Sequence, residues 1–231
     1  MIPVGTLREA RNRPYLTYGL IALNTLVFLY TVFISDDQLR NVFLTFGTVP
    51  LRVTQNPLSP DAWLSLFTSM FLHGGLLHYI GNMTYLWAFG PNVEDHFGKR
   101  FFLASYFLGG LAATFAQIAI NTMSPIPMIG ASGAIAGVMG CYLLLYPGVK
   151  VRVYIPLFRI FGFSTNVAAL FVLGFWFVLQ LFIGALSLGA PAAVGGGVAF
   201  FAHIGGFVAG LLLTFIHMAR IPPPRVSALG D

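Results

Sequence analysis

The stretch IGASGAIAGVMG, residues 129–140, sets one serine, Ser132, among four glycines. Small residues four apart, such as Gly133 and Gly137, are what close helix contacts in membranes use, so taken alone the stretch suits packing. The other reading is nucleophilic. A serine hydroxyl attacks a carbonyl only when a base takes its proton, and a neutral imidazole within hydrogen-bond reach can do so. The G-x-S-x-G elbow of soluble hydrolases is not matched, because Ala134 stands where its second glycine belongs. Five histidines could supply the base: His73, His78, His96, His203 and His217.

Which of them can reach Ser132 depends on the elements that carry them. The chain is 57% hydrophobic and 8% charged, far from the usual quarter charged of soluble domains. Asp, Glu, Lys and Arg are absent from 14–35, 62–93, 101–149 and 160–219. A helix needs about 20 apolar residues to cross the hydrocarbon. The two shorter runs hold one span each and the two longer ones two each, divided at the turn-rich NTMSPIPMIGAS (121–132) and SLGAPAAVGGG (187–197). Six helices are therefore expected, near 15–34, 74–93, 100–121, 132–147, 164–184 and 199–219. The connection from Ser35 to Leu72 is long, and its aromatic and apolar content predicts partial burial against the helices or the outer leaflet.

Of the 12 Lys and Arg residues, all but Arg40 and Arg52 fall on one side of this arrangement. The positive-inside rule makes that side cytoplasmic and places both termini there. The net charge of +5 is thus a topology signal, and no basic stripe points to nucleic acid. The lone Cys141 permits no intramolecular disulfide or thiolate cluster. His73 and His78 lack acidic or thiolate company, so no metal site and no cofactor is expected. The N-terminus reads as a retained helix without a cleavable signal, and the tail RIPPPRVSALGD as too short and proline-rich to fold.

With this topology, the second, fourth and sixth helices all enter from the outer face. Ser132 then opens the fourth helix and His203 lies a turn into the sixth, while His78 and Asn82 sit one turn apart on the second. Four polar residues at one depth in the outer half of the membrane favour the nucleophilic reading. His203 is the expected base and later the acid for the leaving amine. His78, Asn82 and the backbone N–H of Ser132 are expected to donate to the oxyanion. Glu94 and Asp95 fall on the inner side, and Asp36, Asp37 and Asp61 are on the outer loop, so a Ser–His dyad is expected rather than a triad. His96 is expected to be solvated in an inner loop and His217 to be structural. Asn24, Gln117, Asn121, Asn166 and Gln180 are expected to hydrogen-bond between helices or at helix ends.

These residues resemble the rhomboid family of intramembrane serine proteases. The resemblance covers roughly 15–219 and rests on HGGLLHYIGN (73–82), GASG (130–133), AHIGGFVAG (202–210) and the FGPNVEDHFG pattern (89–98), in that family's order. It implies an all-α, six-helix bundle, one polytopic domain over 1–231, with a long, partly membrane-embedded first loop. It implies Ser132 as nucleophile, His203 as base, and His78, Asn82 and the Ser132 backbone as oxyanion hole. Gly130 and Gly133 would shape the turn, Gly206 and Gly210 would let the fourth and sixth helices approach, and His73 would be structural. The implied partners are the bilayer and transmembrane substrates, cut near the outer face of the cell membrane after a small residue. Substrate would pass the fifth helix near Phe175 and Trp176. Many relatives carry an aromatic ring at the position of Ala136, stacked on the catalytic histidine; here something else has to orient it, with Phe200 and Phe201 as candidates. The first loop also lacks the Trp-Arg pair of some relatives.

Two other classes are weaker. A non-catalytic relative that binds membrane proteins for trafficking or quality control typically lacks the serine or the histidine, and this chain has both. A channel or transporter would be expected to place charges or broken helices at mid-membrane, and no charged residue lies mid-span.

Overall fold

The computed structural model describes residues 1–157, 161–188 and 199–219. The tail 220–231 and most of the 187–197 breaker lie outside the described residues. In chain order the elements are β1 (Ile2–Thr6), α1 (Tyr15–Val32), α2 (Asp36–Phe46), α3 (Pro50–Gln55), α4 (Pro60–Thr68), α5 (Leu76–Ile120), α6 (Ser132–Leu145), β2 (Lys150–Pro156), β3 (Gly162–Ala168), α7 (Ala169–Ser187) and α8 (Phe200–Met218). Among the described residues α1, α5, α7 and α8 are long and apolar enough to cross a membrane, and α6 is a shorter apolar helix.

The centre of the bundle is α6, whose residues from Gly133 to Tyr142 are all buried. Their small side chains are the cause. A methyl on Gly210 would run into the carbonyl oxygen of Gly137, and one on Gly206 into that of Gly133. With hydrogen there instead, α6 and α8 approach almost backbone to backbone, and dispersion contacts accumulate without loss of side-chain entropy. On its other flank a methyl on Gly137 would stand 3.0 Å from Gly109 Cα on α5. The Gly-rich packing face seen in the sequence is thus a three-helix seam.

Several expected boundaries change. The spans expected at 74–93 and 100–121 are two helices that meet at Gly98 without a loop, under the one label α5; Gly98 itself is non-helical (φ 73°, ψ 170°), in the positive-φ region that glycine adopts at little cost. The first of the two runs on past 93, so PNVEDHF (91–97) is helical and largely packed rather than a loop. Its Glu94 takes the N–H groups of Leu16 and Thr17 at 3.0 and 2.8 Å and the Thr17 hydroxyl at 2.8 Å. A carboxylate at a helix start satisfies orphan donors and suits the dipole, which explains why α1 begins under a proline without a side-chain cap of its own. His96 is not solvated: it packs on Phe97, Tyr146 and His217. His217 closes the last turn of α8 in that same ring cluster.

The long first connection is mostly helical. Ser35 and Gln38 form a capping box that starts α2, and proline at the first turn starts α3 and α4. A 3-10 turn at Ser69–Phe71 then leads to α5.

The expected fifth helix, 164–184, begins instead at Ala169, because Gly162–Ala168 is a strand. It belongs to an antiparallel sheet of order β1-β2-β3, in register Thr6 with Val151 and Lys150 with Ala168. Val151 and Val153 alternate with Lys150 and Arg152 and are fully buried against the helix ends, the period-two pattern of a half-buried strand. The sheet joins the end of α6 opposite Ser132, about 20 Å away along the helix.

Candidate active site

The loop 121–131 delivers Ser132 to the start of α6. Thr48 pairs with Met128 in both directions, N–H to carbonyl, at 3.0 and 2.7 Å, and its hydroxyl lies against Ser65 O and Ser69 Oγ. Gly130 N–H donates to Ser69 O at 2.9 Å. The first connection therefore folds back and fixes the loop that precedes the serine. Gly130 has φ 127°, and a Cβ there would lie 2.8 Å from His78 Cε1 and Nε2 and 3.7 Å from Ser132 Oγ. Only glycine suits that backbone, and its missing side chain is what lets the His78 imidazole come up beside the serine.

Ser132 Oγ lies 2.9 Å from His203 Nε2, a full hydrogen bond by distance. His203 sits in the first turns of α8, whose start is held by Gln117: Oε1 accepts the Ala202 N–H at 3.3 Å. On its far side His203 Nδ1 is 2.8 Å from Gln180 Oε1 of α7, and Trp176 lies tilted against the ring at 5.7 Å. The expectation that Phe200 or Phe201 orients this imidazole is corrected. Among the described residues neither is in ring contact with it, and the partners come from α7. Ala136 leaves room but makes no stacking contact.

A cavity of about 620 Å³ opens on the pair, lined by His78, Gly130, Gly133, Ala199, Ser132 and His203 among others. The first helical bond of α6 runs from Ile135 N–H to Ala131 O, and no side chain caps that end. The N–H groups of Ser132, Gly133 and Ala134 therefore precede any intrahelical acceptor, at the positive end of the helix dipole. A second cleft of about 390 Å³ lies beside Arg13, Glu94 and Lys99 and contains no hydroxyl–imidazole pair.

The remaining expected site residues divide. His78 is on the cavity wall, its Nδ1 accepting from Gly74 N–H at 3.4 Å. Asn82 is buried and does not line the cavity; one amide hydrogen goes to the carbonyl of His78 at 2.9 Å. His73 is buried edge-on to His78 and Tyr79 at 5.2 and 5.6 Å. Gly133 Cα faces Ala113 of α5, and Gly206 and Gly210 form the α6–α8 seam. Asp36, Asp37 and Asp61 are exposed in the first turns of α2 and α4.

Residues 60–220 match the Rhomboid domain, and the site above falls within them. The chain belongs to the rhomboid family. It is 29% identical over 220 residues to Rhomboid protease GluP of Bacillus subtilis, covering 95% of this chain and 37% of that protein. It is 31% identical over 151 residues to the mitochondrial Presenilin-associated rhomboid-like protein A of Danio rerio, with 64% and 36% covered. To RHOMBOID-like protein 5 of Arabidopsis thaliana it is 30% identical over 225 residues, with 87% and 67% covered. The chain thus spans little more than a third of the length of the first two relatives. As a rhomboid with apolar membrane-length helices it is a multi-pass membrane protein.

Gln180 makes the interhelical bond expected of it, but its partner, His203, is not foreseen from the sequence, and neither is any role for Ser69. Gln180 carried a signal: it is the one amide, hydroxyl or charged side chain between Ala169 and Gly184. Ser69 acts through its backbone carbonyl, and no residue type signals that.

Proposed function

We propose that this rhomboid is an intramembrane serine endopeptidase with Ser132 as nucleophile and His203 as general base. The observation that carries the reading is the 2.9 Å approach of Ser132 Oγ to His203 Nε2 at a cavity. In the proposed reaction His203 Nε2 takes the Oγ proton as Oγ bonds to the scissile carbonyl carbon. The carbonyl electrons move onto oxygen, and that oxyanion meets the free N–H groups at the start of α6. In this reading His78, on the cavity wall, donates as well; Asn82 does not line the cavity, so its second amide hydrogen would have to turn toward it to join them. The imidazolium then gives its proton to the leaving amine, and the C–N bond breaks. Water, activated by the same histidine, cleaves the acyl ester.

The proposed topology counts α5 as two crossings, one on each side of Gly98, and α6 as a short crossing, six in all within a single domain. Arg8, Arg11 and Arg13 after β1, Lys150 and Arg152 in β2, and Lys99 and Arg100 after the Gly98 bend support a topology with that end and both termini on the cytoplasmic side of the cell membrane. Ser132 then faces the outer half. Substrates would be transmembrane proteins cut where their helix unwinds readily, because helical carbonyls are already hydrogen-bonded.

The test is cleavage of a single-span substrate by purified protein in detergent, with fluorophosphonate labelling of the same samples. Wild type cuts and is labelled; Ser132→Ala and His203→Ala do neither. Equal cleavage by Ser132→Ala would refute the mechanism. Binding of the substrate without cleavage by any form would place the chain among non-catalytic membrane-protein binders.

A further inference from the structure

We propose that Gln180 is the positioning residue of the dyad: its side-chain carbonyl holds the Nδ1–H tautomer of His203 and so aims the Nε2 lone pair at Ser132. The inference rests on the dyad reading above and adds to it a third residue from a different helix.

A neutral imidazole has one N–H and one lone pair, and the hydrogen bond at one nitrogen decides the role of the other. For Nε2 to receive the serine proton, Nδ1 must carry the hydrogen. Gln180 Oε1, 2.8 Å from Nδ1, is an acceptor in the required place. The tautomer with hydrogen on Nε2 would set the Nδ1 lone pair against the amide oxygen and reverse the serine bond, Nε2–H donating to Oγ, so that no lone pair is left to take the hydroxyl proton.

The placement of Gln180 is hard to explain otherwise. It is buried, and the helix around it is apolar, with Phe175, Val178, Leu179, Leu181 and Phe182 turned outward. An amide at mid-helix is retained in hydrocarbon only where it finds a partner, and here the partner is His203. Trp176 precedes Gln180 by four residues, one turn, and also meets the imidazole. One face of α7 therefore holds the ring at two points, a plane and an edge. This supplies what Ala136 cannot.

The amide also suits the medium. A carboxylate in that position would orient the ring and stabilise the imidazolium, but burying its charge next to lipid is far costlier. A neutral acceptor sets the tautomer without that cost.

The test uses Gln180→Leu, Gln180→Met and Gln180→Glu in the full chain. Leu and Met remove the acceptor and are compatible with a lipid-facing helix, so one covers for the other if folding suffers. Each should lower kcat about 10- to 100-fold with KM little changed. Gln180→Glu keeps an acceptor and adds charge; it should recover most of kcat, and the acid limb of its pH–rate profile should move to higher pH. A merely structural role would not move that limb. Independently of any proteolysis, 15N spectra of the His203 ring in the Ser132→Ala protein, assigned by difference with His203→Ala, should show hydrogen on Nδ1. In Gln180→Leu or Gln180→Met the same ring should show a tautomer mixture. Unchanged kcat and pH profile in the acceptor-free variants, or an unchanged tautomer, would overturn the proposal. A wild type that cuts nothing while its tautomer still depends on Gln180 would instead refute the proposed function and leave the positioning role standing.

Discussion

The start of α6 is held at van der Waals contact with α5, and a single methyl should be enough to disarm the site. A Cβ on Gly133 would stand 2.5 Å from Ala113 Cβ, where non-bonded carbons rest at roughly 3.5–4.0 Å. Gly133→Ala therefore requires the first turn of α6 to shift by about 1 Å or more relative to α5. Ser132 is the adjacent residue, and its 2.9 Å bond to His203 has little slack before it weakens. A misplacement of about 1 Å can cost on the order of 100-fold in rate. Overpacking costs about 1–3 kcal/mol, while replacing a helical glycine by alanine returns up to about 1 kcal/mol. The variant should then lose about 100-fold in cleavage and in fluorophosphonate labelling, with only a small fall in Tm.

A second substitution identifies the cause. Ala113→Gly deletes the opposing methyl and leaves Ala113 Cα at 3.9 Å from the new Cβ, an ordinary contact. The double variant should regain activity to within about tenfold of wild type, although glycine in α5 costs about 1 kcal/mol of stability. Between the single and double variants activity would then rise steeply while stability changes by no more than about 2 kcal/mol. Wild-type cleavage by Gly133→Ala, or a double variant no faster than the single, would refute the claim that this contact sets the serine's position.

Other substitutions probe the remaining supports. Gly130→Ala forces a side chain onto φ 127° and against the His78 ring; activity should fall at least 100-fold and stability by about 1–3 kcal/mol, read by labelling and thermal melts. Glu94→Ala removes three hydrogen bonds and leaves the Leu16 and Thr17 N–H groups without their acceptor, so Tm should drop by the equivalent of about 3 kcal/mol while labelling of Ser132 below that temperature persists. Asn82→Ala should lower kcat about 100-fold with KM held if its second amide hydrogen serves the oxyanion; a change under about threefold would show that its bond to the His78 carbonyl is its whole role.

What could be seen in the sequence was whatever depends on residue type at short range. Ser132, His203 and the small residues between them are legible because the proposed nucleophile, the proposed base and a tight helix contact each demand particular side chains. Helix ends at Tyr15, Ser132 and Met218 fall within a few residues of expectation, since charge and apolar runs mark them. The three-stranded sheet was overlooked although Val151, Val153 and Ile155 alternate, because membrane-length runs dominate any count of apolar residues in this chain. The break at Gly98 falls between the two helices expected there, but without a loop. Charged residues at 94–100 look like a loop, and only the helix that Glu94 caps shows why those before Gly98 stay helical. Gln180 looks in the sequence like any of five amides between helices or at helix ends, since nothing local says which imidazole it will meet across the bundle.

Proximity and orientation are supplied at this site by different means, and the division follows from the solvent. Lipid gives helices no hydrophobic reason to associate with each other, so closeness has to come from glycine and alanine contacts such as Gly133 on Ala113 and Gly210 on Gly137. Such contacts bring backbones together but do not turn a side chain. Turning is left to directional bonds, and away from the basic end of the bundle a buried bond costs least when both partners are neutral. The carbonyl of Ser69 on Gly130, the amide of Gln117 on Ala202 and the amide of Gln180 on His203 all meet that condition, whereas the ion pair Arg8–Asp95 lies at the basic end of the bundle. It follows that packing and orienting variants should fail differently. An added methyl in the seam should depress labelling of Ser132 at every pH, because the two groups no longer meet. Loss of the Gln180 acceptor should leave them in contact and alter how the rate depends on pH.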